Sequence, residues 1–307
     1  MDGLAKRFAG GSGINSVSMR LPRGAVTGFI GVNGAGKSTT LRCVMGLLKP
    51  DAGRIEIFGQ NADARTRRKV GFLPEERGLF PRERVREVIA FHARLKGLAK
   101  SDAYRAADRL LERIGLTERR RSRISELSKG NAQRVQILCA LAHDPDLLIL
   151  DEPFSGLDPL AQSEIFSLFA EFRAGGGAIL FSTHAMAAAE SLCDQVVILA
   201  GGRTVFEGRI DEAAAASPHG AVVVTADEAG LAAAAQAVGG RLAPMAARIG
   251  EAGRWRVVLP QDVTHPALMR ALAERGVPIL GFEPIKPDLE GAFWDLAAPD
   301  APARRVA

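Results

Sequence analysis

Long apolar runs are missing from this 307-residue chain. A helix that crosses a membrane needs ~18 to 20 consecutive apolar residues. The most apolar region, Val135 to Leu150, is cut by His143, Asp144, Pro145 and Asp146. The opening residues Met1-Asp2-Gly3-Leu4-Ala5-Lys6-Arg7 are not followed by an apolar core, so no secretory leader is expected there. Cysteine is scarce. Cys43, Cys139 and Cys193 lie far apart, in apolar surroundings and in odd number. That argues against a disulfide framework or a thiolate metal site and for three small core residues. Charge is not one-sided either: 40 Lys and Arg against 35 Asp and Glu leave a net charge of +5. Such a balance permits nucleic acid or an anionic surface as a partner without selecting either. The densest basic cluster, Arg119-Arg120-Arg121-Ser122-Arg123, reads as a solvated face. These absences describe a chain expected in the cytosol, reaching a membrane only through a partner.

What is present begins with Gly31-Val32-Asn33-Gly34-Ala35-Gly36-Lys37-Ser38-Thr39. It fits G-x-x-x-x-G-K-[ST], a loop that wraps the phosphates of a nucleoside triphosphate. The apolar run Ala25 to Ile30 before it reads as a buried strand, and Ser38 to Leu48 after it as a helix. The glycines let successive N–H groups turn toward a phosphate, and the helix N-terminus adds positive potential there. Lys37 would bridge the β- and γ-phosphates, and the Ser38 hydroxyl would ligate Mg²⁺. The length suits roughly two domains.

Further short motifs follow in a fixed order. Gly71 to Phe80 reads as a strand running into a loop at Pro74, then helical patterns run from about Arg84 to Leu95 and Ser101 to Ile114. Leu127-Ser128-Lys129-Gly130-Asn131 opens a helix to about Ala142, with Ser128 placed as its N-cap. Leu147-Leu148-Ile149-Leu150-Asp151-Glu152 reads as a buried parallel strand that delivers two acids at its C-terminal end. Ser155-Gly156-Leu157-Asp158 comes next, and a second buried strand, Ala178 to Ser182, ends in Thr183-His184.

Taken together, these motifs resemble the ATP-binding subunit of ABC transporters over about Leu4 to Arg209. The resemblance implies an α/β P-loop NTPase fold with a RecA-like core, an antiparallel β subdomain and a helical subdomain over about residues 80–130. It implies two subunits paired head to tail, as a homodimer or as paired ATPase subunits, with ATP and Mg²⁺ held between one phosphate loop and the other's signature segment. On that template Asp151 holds Mg²⁺ with Ser38, and Glu152 is the general base or water-polarising group. His184 reaches the γ-phosphate and links it to Asp158 across the dimer, while Ser128 and Gly130 close over the ATP of the opposite subunit. Phe8 lies where the family stacks an aromatic ring on adenine. Three departures stand out. Glu75 replaces the usual Gln, although Pro74-Glu75-Glu76-Arg77-Gly78-Leu79 itself resembles an exporter subgroup. Lys129 and Asn131 replace the commoner Gly and Gln of the signature. The first strand before Phe8 looks a few residues short.

From about residue 221 to 300 the texture changes, after a boundary near Ser217-Pro218-His219-Gly220. The pattern β-α-β-β-α-β suggests a small α+β domain of ferredoxin-like order, similar to a C-terminal extension of exporter-type subunits. Its strands are expected at Ala221 to Ala226, Leu242 to Ile249, Arg254 to Pro260 and Val277 to Glu283. Regulation or dimer support is the expected role. The leading expectation for the whole is an ATPase of residues 1–217 that powers export through a separate transmembrane permease, peripheral on the cytoplasmic face of the membrane and without direct nucleic-acid contact. Phe80, Val85 and Val88 are candidate permease contacts. Two other readings stay open: an ABC-family ATPase acting on ribosomes, DNA or cofactor assembly, and a nucleotide-gated module without turnover.

Overall fold

Runs of apolar residues closed by glycine or proline produce the strands that carry the chemistry. The computed structural model of the protein describes residues 1–76, 78–215, 219–244, 253–260, 262–285 and 288–297. Its contacts divide the chain into two units, Met1–Arg209 and Ile210–Ala307.

The first unit opens with β1 (Asp2–Arg7), β2 (Gly13–Val17), β3 (Val26–Ile30) and α1 (Lys37–Val44). Next are β4 (Ala52–Arg54), the small hairpin of β5 (Glu56–Ile57) and β6 (Gln60–Asn61), α2 (Ala64–Arg68) and β7 (Val70–Leu73). Three helices follow: α3 (Val85–Leu95), α4 (Lys100–Arg113) and α5 (Lys129–Leu141). The chain then returns through β8 (Leu147–Asp151), α6 (Pro159–Ala174), β9 (Ala178–Thr183), α7 (Met186–Leu192), β10 (Gln195–Ala200) and β11 (Arg203–Arg209). Nine strands form one sheet in the order β4-β1-β2-β11-β10-β3-β9-β8-β7. Strands β10, β3, β9, β8 and β7 are parallel, whereas β1 runs antiparallel to β2 and β4. Every residue of β3, β8 and β9 is buried, as expected of parallel strands covered on both faces. Side chains such as Phe29, Leu41, Ile149 and Leu180 fill the core, each contributing roughly 1.5–3 kcal/mol by leaving water. The segment before Phe8, short as it looks, is a six-residue strand with a neighbour on each side.

Helix α3 places Val85, Val88, Ile89 and Ala93 on one face, packed against α4 and α5. Of the three candidate permease contacts, Val85 and Val88 are 0% and 1% exposed, while Phe80 is 49% exposed. Apolar positions on an amphipathic helix turn to their neighbours, and the surface beside them belongs to Phe80 and Phe91, whose rings meet edge to face at 5.7 Å.

The second unit consists of α8 (Ile210–Ala215), β12 (His219–Val224), α9 (Glu228–Ala237), β13 (Arg241–Pro244), β14 (Arg254–Leu259), α10 (His265–Glu274), β15 (Gly281–Ile285) and α11 (Leu289–Ala297). Its four strands are antiparallel in the order β13-β14-β12-β15, over a core that includes Val223, Leu231, Val257 and Leu268. Helix α8 packs with α11. The strand expected over Leu242 to Ile249 runs to Pro244, and 245–250 lie outside the described residues. The last strand begins at Gly281 instead of Val277. Gly276, at φ +64°, ends α10, and the Val277 N–H donates back to the Leu272 carbonyl. That closure, with Pro278 unable to donate to a ladder, delays the strand.

Candidate active site

The phosphate loop spans the turn from β3 into α1, and its shape depends on two glycines. Gly34 and Gly36 have φ of +82° and +103°, values that L side chains adopt only under strain. A Cβ on Gly36 would also lie 2.3 Å from Ile14 Cγ2. Lys37 is buried, and its Nζ donates to the carbonyl oxygens of Gly31 at 2.6 Å and Val32 at 3.4 Å. Burial lowers the Lys37 pKa, opposed by the charges of Glu152, Asp151 and Glu75. Three carboxylate charges thus act on the Lys37 ammonium without an ion pair to it, while two backbone carbonyls hold it.

Parallel β8 brings the acids to the same place. Asp151 ends the strand buried, and its Oδ1 accepts from Ser182 Oγ on β9 at 2.5 Å. That hydroxyl in turn accepts the Glu152 N–H at 3.0 Å. Glu152 has φ +49°, an uncommon conformation for a non-glycine residue. His184 Nδ1 donates to Glu152 Oε1 at 2.9 Å, with His184 64% exposed and Glu152 only 13%. Across the opening, Ser38 Oγ lies 3.4 Å from Glu75 Oε2.

A cavity of about 340 Å³ gathers most of these groups. It is lined by Phe8, Val32, Asn33, Gly34, Gly36, Lys37, Ser38, Thr39, Glu75, Asp151 and Glu152, together with Ser12 and Gly13. Gly31 and Ala35 sit in the loop without lining it, and His184 joins through Glu152. Ser128, Gly130 and Asp158 lie apart from this cavity. Ser128 is exposed and caps α5, accepting from the Asn131 N–H at 3.2 Å. Asp158 caps α6, accepting from the Ala161 N–H at 2.9 Å. A Cβ on Gly130 would lie 3.3 Å from the Gly156 oxygen, so the two short motifs adjoin each other.

Two groups escaped the sequence reading. Gln133 and Gln136, one helical turn apart on α5, are both buried. Gln133 Nε2 donates to the Pro153 carbonyl at 3.1 Å, and Gln136 Nε2 donates to those of Pro74 and Glu76, each at 3.2 Å. One helix therefore braces the loops that carry Glu152 and Glu75. Polar residues inside the apolar run before Leu150 were the available signal. Ser182 was the other omission, because only the sheet register places it beside Asp151.

Elsewhere in the first unit, a groove of about 350 Å³ runs along α3 and α4, with Phe80, Phe91 and Tyr104 as walls, Val88 in its floor and Glu83, Glu87 and Arg94 at its rim. Among the described residues no helix is long and apolar enough to cross a membrane, and no cluster of His, Cys, Asp and Glu has metal-site spacing.

Known proteins resemble this chain closely. The family profile described as "ABC transporter" matches residues 14–155. The daunorubicin resistance ATP-binding protein DrrA3 of Streptomyces coeruleorubidus is 31% identical over 313 residues, covering 100% of this chain and 98% of its own. The Nod factor export ATP-binding protein I of Burkholderia lata is 37% identical over 208 residues, 67% of this chain and 68% of that protein. A solved structure described as the ATP binding subunit of an ABC transporter superposes with a TM-score of 0.64 at 37% identity, covering 69% of this chain and 89% of that one.

Proposed function

Because the chain belongs to the ATP-binding proteins of ABC transporters, we propose that it hydrolyses ATP in a head-to-tail dimer and couples that cycle to export through a separate transmembrane permease. One observation carries this reading. The cavity brings Lys37, Ser38, Glu75, Asp151 and Glu152 together, while Ser128 and Gly130 sit elsewhere on the same chain with Ser128 exposed. A second copy would supply that segment.

The residues fit the reaction. The curled loop and Lys37 would take the phosphate oxygens, neutralising charge as it develops on the transferred group. Ser38, Asp151 and Glu75 form an all-oxygen donor set suited to Mg²⁺, which when bound neutralises phosphate charge. Glu152, fixed by the Ser182 hydroxyl through its own N–H and by His184 through its carboxylate, would accept a proton from the attacking water. Phe8, 40% exposed at the cavity wall, offers its ring to a base. The Phe80–Phe91 groove is the proposed seat for a permease helix, and the Nod factor export relative supports export over import. Binding through that groove would hold the chain against the membrane.

The test is Glu152→Gln. Loss of roughly 10²–10⁴-fold in hydrolysis, with ATP-stabilised dimers by light scattering, is the expected outcome. A chain with no hydrolysis to lose, or monomeric at saturating ATP, would contradict it.

A further inference from the structure

Two stretches far apart in the sequence, Arg82-Glu83-Arg84-Val85-Arg86 and Arg119-Arg120-Arg121-Ser122-Arg123, hold seven arginines in ten positions. The fold lays them side by side. Arg84 and Arg123 pair as an antiparallel bridge. The Val85 N–H donates to the Ser122 carbonyl at 3.0 Å, and the Arg86 N–H to that of Arg120 at 3.1 Å. Like charges set opposite one another in this way oppose the pairing.

Their neighbours do little to relieve it. Arg86 is bound by Asp108 at 2.7 and 2.5 Å and lies over the Tyr104 ring. Among the described residues, Arg84, Arg120 and Arg121 are exposed and have no carboxylate partner. With Arg86 and Glu87 these three line a pocket of about 280 Å³. Glu87 also lines the Phe80–Phe91 groove, so pocket and groove adjoin each other at that residue.

We infer that this pocket is a phosphate-binding site for anionic lipid headgroups at the membrane surface. Guanidinium forks match phosphate oxygens in geometry and keep their charge at any working pH. The cytoplasmic leaflet presents such phosphates in a negative surface potential. An anion there would remove the repulsion that the fold accepts. The inference rests on the proposed function only in placing the groove toward the membrane.

The experiment needs no permease. The full chain is mixed with vesicles of equimolar phosphatidylcholine and phosphatidylglycerol, or of phosphatidylcholine alone, and binding is read by flotation. Binding to the anionic vesicles, weakening as salt is raised, is expected. The R84Q/R120Q/R121Q variant should lose about tenfold or more of it, while R23Q/R65Q/R68Q, of equal net charge, loses little. The first variant should keep the parent's ATPase rate and melt no lower. Equal loss in both triples, or a lower melting temperature in the first, would overturn the proposal. So would inorganic phosphate, at matched ionic strength, displacing the chain from the vesicles, since that would assign the pocket to a soluble anion. Failure of the permease reading would show instead in the Glu152→Gln dimers.

Discussion

Both units are sheets packed with helices, yet they treat polar side chains in opposite ways. Among the described residues, the first unit buries Thr27, Lys37, Thr40, Thr66, Gln133, Gln136, His143, Asp151, Ser182 and Thr183, whereas the second buries only Thr225. An unpaired buried polar group is expensive, so a fold keeps many of them only where their pairing is used. In the first unit most converge on the strand ends and loops around one cavity. The second unit buries no other whole polar residue among the described ones, though the Trp255 Nε1 and the Arg254 and Arg256 Nε atoms lie buried in it. The contrast separates a region whose buried polar groups gather mostly at one cavity from one with a single buried polar residue among those described.

The sharpest way to break this contrast is at Glu152. The Gln variant should remove hydrolysis by the largest factor of any change considered, since in the proposed reaction it replaces the proton-accepting group with one of the same shape. Next in size is acid sensitivity. His143 is pushed down from 6.5 to about 4, by burial first and then by Lys96, against a smaller opposing contribution from the Val70 backbone. Its neutral form belongs to the folded state. As pH falls below 6.5 the unfolded chain takes the proton first, so stability drains away until about pH 4, by at most roughly 3 kcal/mol. Urea titrations across that window should show a shallower acid slope in His143→Leu, and an unchanged slope would mean the imidazole is not held neutral. Smaller again is Gln136→Leu, which leaves the Pro74 and Glu76 carbonyls without their donor. A loss of about 1–2 kcal/mol in urea unfolding is expected, together with a fall in kcat that exceeds any change in KM for ATP. The smallest effect belongs to the second unit. Ending the chain after Arg209 should alter the ATPase rate by less than about twofold, and a collapse in rate would show that this unit serves the site after all. Cutting there takes α8 away with its partner α11, which a cut at residue 217 would strand.

Much of the site was readable because local rules make it. Gly34, Gly36, Lys37 and Ser38 need only the backbone between β3 and α1, and Asp151 needs only an apolar strand that stops. The features that escaped depend on distant pairing. Ser182 meets Asp151 through register, Gln133 and Gln136 find carbonyls on other loops, and the arginine stretches meet across more than thirty residues of chain. Helical spacing marked Val85 and Val88 as apolar without saying which neighbour would cover them. In the second unit, Pro278 and the closure at Gly276 moved the start of β15, a boundary that apolar pattern alone places too early.

The left-handed backbone at Glu152 has a consequence for how this chain can change. Glycine would adopt φ +49° without strain, so random substitution there can relax the fold while abolishing the proposed chemistry. The most comfortable residue for that turn is one that does nothing. The backbone at that bend gives no reason for a carboxylate; the proposed chemistry does.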